Sequence, residues 1–189
     1  MENSEKLIEI KSLYAGYDGE HVIQDVNLTI YQNDFLGIIG PNGGGKTTLL
    51  KAVLGLLEYE KGSVEFFFDK KKHSIGFLPQ YNDIDKDFPI TVQDVVLSGL
   101  AGKKGIFKKF SKEDRKKADA LLDEMGVLEL KNKSIGELSG GQMQRVFLCR
   151  AIISDPIVLI LDEPNTYIDK SMTLSLYELL LKLNEKMAI

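Results

Sequence analysis

From residue 40 to residue 48 the chain reads Gly40-Pro41-Asn42-Gly43-Gly44-Gly45-Lys46-Thr47-Thr48, with two glycines five positions apart followed by a lysine and a threonine. A diphosphate or triphosphate needs several backbone N–H donors converging at short range. Glycines let the backbone wrap such an anion without Cβ clashes, and a helix N-terminus adds its positive end. In this reading the loop cradles the phosphates of ATP and Lys46 reaches the outer ones. Thr47 offers its hydroxyl to the Mg2+ that bridges phosphate oxygens, a hard cation preferring oxygen donors, and Thr48 closes the motif. The plain alternative is a glycine-rich turn. A second set of chemical groups is Asp162-Glu163-Pro164, two carboxylates directly after the apolar run Ile157 to Leu161. Parallel α/β sheets hold their ligands at such strand tips, and the pair resembles a Walker B strand. There Asp162 acts on the magnesium shell, and Glu163 orients and polarises the attacking water; otherwise the pair is an ordinary acidic turn. A third is Leu138-Ser139-Gly140-Gly141-Gln142, where a hydroxyl and glycine N–H groups at a helix start make either a second anion site or simply an N-cap.

These groups need elements to carry them. Leu7 to Ile10, Val22 to Ile30 and Phe35 to Ile39 are short β-branched and apolar stretches separated by Gly, Asp and Asn, predicting strands joined by turns. The third of them runs into the glycine loop. Leu49, Leu50, Val53, Leu54 and Leu57 then fall at helical spacing, giving strand, loop and helix in the order a phosphate site requires. Thr91 with Asp94, and Ser111 with Asp114, predict two helix N-termini, with Gly126 placed to stop the second helix. Gln142 to Ile153 reads as a helix ended by Asp155-Pro156, and Ile157 to Leu161 as a strand buried on both faces. Met172 to Leu183 is one more amphipathic helix, after which Ala188-Ile189 starts a possible strand.

The 189 residues suffice for one well-buried core with an appended subdomain, and the net charge of −4 argues against a nucleic-acid partner. The single cysteine, Cys149, has no internal disulfide partner. With neither a signal peptide nor a run of about eighteen apolar residues, the expectation is a cytoplasmic protein whose membrane contact is peripheral. Lys103, Lys104, Lys108, Lys109, Lys112, Arg115, Lys116 and Lys117 form a basic stretch, read as a solvated face with anionic lipid as the sharper alternative. Lys70 to Lys72 read as a hairpin turn. No His, Cys and carboxylate cluster suggests direct zinc binding.

The spelling of Leu138 to Gln142, together with the P-loop, closely resembles the ABC ATPase family over essentially the whole chain. That resemblance implies an α/β fold: a P-loop NTPase core with an N-terminal antiparallel β-subdomain and an inserted α-helical subdomain. The expected divisions are 1–80 for the core with β-subdomain and P-loop, 81–138 for the helical subdomain, and 139–189 for the signature helix, Walker B strand and following helix. It further implies that Ser139, Gly140, Gly141 and Gln142 serve the ATP of a partner copy, so that a homodimer sandwiches two nucleotides head to tail. Tyr17 is similar to the aromatic that stacks on adenine, with Tyr14 close by as a rival and a core role open for either. Gln80, in Phe77-Leu78-Pro79-Gln80, looks like the glutamine that contacts magnesium and couples the site to a membrane permease. Asp169 fits the segment that crosses the dimer interface.

The family also places a γ-phosphate histidine after the next strand, whereas the histidines here are His21 and His73, far upstream. The expectation is a chain truncated before that histidine, which binds nucleotide and hydrolyses it poorly. The wording of the P-loop, of Asp87 to Val92 and of Asp94 to Leu97 looks like the branch serving zinc and manganese importers, with a solute-binding protein as an indirect partner. Two other functions stand beside this one: a soluble ATPase of the same family acting in translation or DNA repair, and a nucleotide-binding regulatory module without turnover.

Overall fold

The computed structural model describes residues 5–70, 72–80, 89–104, 109–164, 170–185 and 187–189. They fall into two compact units, one formed by Met1–His73 with Lys182–Ile189 and the other by Ser74–Leu181.

In the first unit, β1 (Lys6–Tyr17) and β2 (Glu20–Tyr31) form an antiparallel hairpin, and β3 (Tyr59–Phe66) pairs with the other edge of β1. Asp18 and Gly19 both take positive φ, 52° and 81°, the backbone a two-residue hairpin turn needs to match the twist of its strands. As the central strand, β1 supplies the buried row Leu7, Ile8, Ile10, Leu13 and Ala15. The helix α1 (Lys46–Val53) packs on β1 and β2, burying Thr48, Leu49, Ala52 and Val53.

The expected strand over Phe35 to Ile39 is not formed. Leu36 N–H donates to the Ile189 carbonyl and Ile189 N–H to the Asp34 carbonyl, each at 2.8 Å, which is the alternation of a parallel pairing confined to one residue. An apolar run becomes a strand only where a neighbour supplies the ladder, and among the described residues Ile189 alone does so; Ile39 is left 96% exposed. The hairpin turn expected over Lys70 to Lys72 also departs from expectation at its described residues, Lys71 lying outside them. Lys72 and His73 both donate to the Asp69 carbonyl at 2.9 Å, so a turn is present. Among the described residues it joins no hairpin, because β3 pairs with β1 while β4 (Ile75–Leu78) pairs with β5 (Val158–Leu161).

The second unit is built on that parallel β4–β5 pair, in register from Ile75 opposite Val158 to Leu78 opposite Leu161. Its helices are α2 (Val92–Ser98), α3 (Ala101–Lys104), α4 (Lys112–Glu124), α5 (Gly140–Ile152) and α6 (Lys170–Asn184), the last running on into the first unit's C-terminal segment. Three of them start on the hydroxyl caps read from the sequence: Thr91, Ser111 and Ser139 each accept a backbone N–H three residues on. Such a cap is worth about 1 kcal/mol. Gly126, at φ 65°, follows the end of α4 as expected. Helix α5 is the hub, packing on α2, α4 and β4 and burying Val146, Phe147, Leu148, Cys149, Ala151 and Ile152.

Candidate functional site

In the first unit the loop from Gly40 to Gly45 closes on itself. Gly44 N–H donates to the Pro41 carbonyl at 3.0 Å, and Gly43 and Gly45 take left-handed φ of 77° and 84°. Gly45 is also pressed against β2: a Cβ there would lie 2.6 Å from Ile23 Cγ2. Glycine is therefore required at this point twice over, by backbone angle and by space. The Lys46 ammonium folds back over the loop, donating to the carbonyls of Gly40 at 3.0 Å and Pro41 at 2.8 Å. Gly45 caps α1 without a side-chain hydrogen bond, and the first turn carries no acidic residue to repel an anion. Thr47 is half-buried and Thr48 buried at the foot of α1.

Tyr17 stands at the end of the β1–β2 hairpin with 46% of its surface exposed. Tyr14 is instead engaged on the sheet, edge-on to His21 at 5.5 Å with Lys61 Nζ 5.7 Å from its ring centroid. His21 in turn meets Glu60 at 2.9 Å. Of the two tyrosines, Tyr17 is the exposed one.

In the second unit Asp162 and Glu163 occupy the C-terminal tip of β5. Asp162 is 5% exposed, and its N–H donates to the Leu78 carbonyl at 2.9 Å, extending the ladder one residue past the strand. Glu163 turns outward with φ 49°, a left-handed conformation uncommon in a non-glycine residue. Gln80 Nε2 donates to Glu163 Oε2 at 2.6 Å. This contact was not legible in the sequence, because β4 is only four residues long and its pairing partner lies far along the chain. Ser139 starts α5 with a reciprocal capping box: its Oγ accepts from Gln142 N–H at 3.4 Å and its N–H donates to Gln142 Oε1 at 3.0 Å. Gly140 and Gly141 form the first turn. The N-cap role is thus real, and it sets the start of this helix. Asp169 lies outside the described residues.

The basic stretch divides. Lys103 donates to the Ser154 carbonyl, Lys117 pairs with Asp155, and Arg115 donates to Gln93 at 2.9 Å. Lys109, Lys112 and Lys116 remain exposed. Cys149 is buried beneath α4, its Sγ 3.5 Å from the Leu121 carbonyl, and burial pushes its thiol up to about 12. Among the described residues, no group of three or more His, Cys, Asp and Glu side chains is placed to hold a metal ion.

A family model described as ABC transporter matches residues 23–166. The chain is 42% identical over 185 residues to the zinc uptake system ATP-binding protein ZurA of Listeria innocua, covering 95% of this chain and 72% of that one. It is 36% identical over 182 residues to the manganese transport system ATP-binding protein MntB of Bacillus subtilis, covering 95% and 73%. Among solved structures, a chain of an ABC transporter in an inward-facing conformation superposes with a TM-score of 0.86 at 30% identity, covering 98% of this chain and 71% of that one. A nucleotide-free ATP-binding cassette from an ABC transporter gives 0.82 at 24% identity over 97% and 79%, a likeness of fold.

Proposed function

The chain belongs to the ABC transporter family, and from that premise we propose that it is the ATP-hydrolysing subunit driving a membrane permease that imports a divalent metal ion such as zinc or manganese. The observation that carries the nucleotide reading is the loop from Gly40 to Lys46, with two left-handed glycines and an ammonium folded onto backbone carbonyls. Incoming phosphate oxygens replace the carbonyls of Gly40 and Pro41 as partners of Lys46, exchanging neutral acceptors for charged ones, which roughly doubles the strength of each hydrogen bond. Tyr17 stacks on the adenine.

Thr47, Gln80 and Asp162 are the candidates to hold Mg2+. The set fits, since a hydroxyl, an amide oxygen and a carboxylate are hard oxygen donors and no thiolate or imidazole intrudes. When bound, the ion supplies charge neutralisation for the phosphate oxygens. Glu163 orients the attacking water and draws on its proton. Asp169 and the segment Ser139 to Gln142 serve a second copy, completing its nucleotide site head to tail; binding of ATP then favours the closed dimer by its differential affinity for the two states. The work is delivered to the permease on the cytoplasmic face of the membrane, with a solute-binding protein as the indirect partner. No described helix is long and apolar enough to cross a membrane. The metal cargo rests on the relatives, whose names specify zinc and manganese.

Phosphate release with Mg-ATP tests the enzyme reading. Glu163→Gln should lower turnover by roughly a hundredfold or more while leaving ATP affinity within about threefold, the signature of a lost general base. Equal rates in wild type and variant would refute hydrolysis at this residue and leave a nucleotide-binding regulatory module. Lys46→Ala should instead weaken ATP binding at least about tenfold, since it deletes a charge-assisted contact to phosphate; unchanged affinity in calorimetry would remove the P-loop assignment. For the cargo, deleting the coding sequence from its organism should reduce zinc or manganese accumulation, and unaltered uptake of both would exclude metal import.

A further inference from the structure

Resting on the ATPase reading above, we propose that Gln80 is a positioning residue for Glu163, its amide nitrogen fixing the orientation of the carboxylate that polarises the attacking water. The argument starts from register. Strands β4 and β5 run parallel with Leu78 opposite Leu161, and Asp162 N–H bonding the Leu78 carbonyl keeps them aligned past the last pair. Gln80 and Glu163 each lie two residues beyond that pair, so the sheet itself delivers the two side chains to one place. There Gln80 Nε2 reaches Glu163 Oε2 at 2.6 Å. The nitrogen must be the end that faces the carboxylate, because a carboxylate oxygen accepts and only the NH2 end of the amide donates.

Geometry gives this bond a purpose. The terminal torsion of a glutamate is broad and roughly two-fold, so an unrestrained carboxylate samples a wide arc of orientations. Glu163 already has its backbone turned into the left-handed region at φ 49°, which aims the side chain without setting the plane of its carboxyl group. The amide hydrogen bond restrains that plane. Positioning of this kind contributes directly to the rate, because water activation demands alignment as well as a base. The role differs from the metal contact assigned to Gln80 above: a metal takes the amide oxygen, and Glu163 takes the nitrogen.

Gln80→Glu keeps oxygen ligands for a cation while replacing the N–H donor with a second carboxylate that repels Glu163, and Gln80→Met, which removes the donor without adding charge, controls for that repulsion. The expected result is a fall in kcat of roughly ten- to a hundredfold, with the apparent affinity for Mg-ATP within about twofold of wild type. In the Glu163→Gln background the same change should cost less than about twofold, because the group it positions is gone. Retention of wild-type kcat by Gln80→Glu would overturn the proposal, as would losses that multiply in the double variant. If Glu163→Gln itself leaves turnover intact, the ATPase role of Glu163 falls and the positioning role falls with it, so the two failures are distinguishable. An arm independent of turnover is the Gln80 side-chain NH2 resonance in nitrogen-edited NMR spectra of the nucleotide-free chain, assigned by its loss in Gln80→Glu. Glu163→Ala should move it clearly, and an unmoved resonance overturns the contact.

Discussion

Alanine substitutions at Gly40, Gly43 and Gly45 should separate the stability of the phosphate loop from its function. At Gly45 the backbone φ is 84°, and an added Cβ lies 2.6 Å from Ile23 Cγ2 and 3.3 Å from Val22 Cγ1 and its carbonyl oxygen. The left-handed conformation costs an L-residue about 1–2 kcal/mol. The overlap adds about 1–3 kcal/mol, because Ile23 is 7% exposed and has little room to retreat. Gly45→Ala should therefore destabilise by about 2–5 kcal/mol. At Gly43, φ is 77° but nothing lies within 4 Å of the added Cβ, so only the conformational cost of about 1–2 kcal/mol remains. Gly40→Ala meets no atom within 4 Å and needs no left-handed backbone, so its stability cost should be about zero. Thermal denaturation of the nucleotide-free chain should rank them Gly45 far below Gly43 and Gly43 below Gly40, at about 2–4 °C of Tm for each kcal/mol. ATP affinity should not follow this ranking, since a Cβ at Gly40 or Gly43 stands in open space that a phosphate would occupy. Equal melting temperatures for Gly40→Ala and Gly45→Ala would refute the packing argument.

Ser139→Ala removes the α5 cap and should cost about 1 kcal/mol in urea denaturation. If the segment also serves a partner copy's nucleotide, turnover should fall far more than that loss of stability accounts for, and a proportionate fall would leave Ser139 as a cap alone. Cys149 should resist thiol reagents in the native chain at pH 8 and react fully on unfolding, and rapid native labelling would contradict its burial. Its folded value of about 12 lies above the unfolded one. Its contribution to stability is thus complete below the unfolded value of roughly 9 and declines as pH rises from there toward 12. Cys149→Ala should flatten that alkaline decline in denaturation midpoints, and an unchanged slope would remove the assignment.

What the sequence determined by itself was local. Thr91, Ser111 and Ser139 cap helices because each partner N–H lies three residues away. Gly126 ends α4 through its own backbone angle, and the loop from Gly40 to Thr48 is a short continuous piece whose residue types dictate its conformation. These interactions span so few residues that spelling and structure are nearly the same thing. Tertiary structure decided what links distant segments. Phe35 to Ile39 had the composition of a strand, yet among the described residues it is paired only through Ile189, since hydrogen-bond ladders belong to neighbours and not to a sequence. Strand β3, Tyr59–Phe66, carries two glutamates, a lysine and a glycine that hide its role until β1 supplies the pairing edge. Asn184 spans 151 and 150 residues to donate to the carbonyls of Asn33 and Asp34. Gln80 finds Glu163 across 83 residues because a parallel register carries both past the same point of the sheet. No local pattern encodes that register; it follows from burying Val158, Leu159 and Ile160 alongside Gly76 and Leu78.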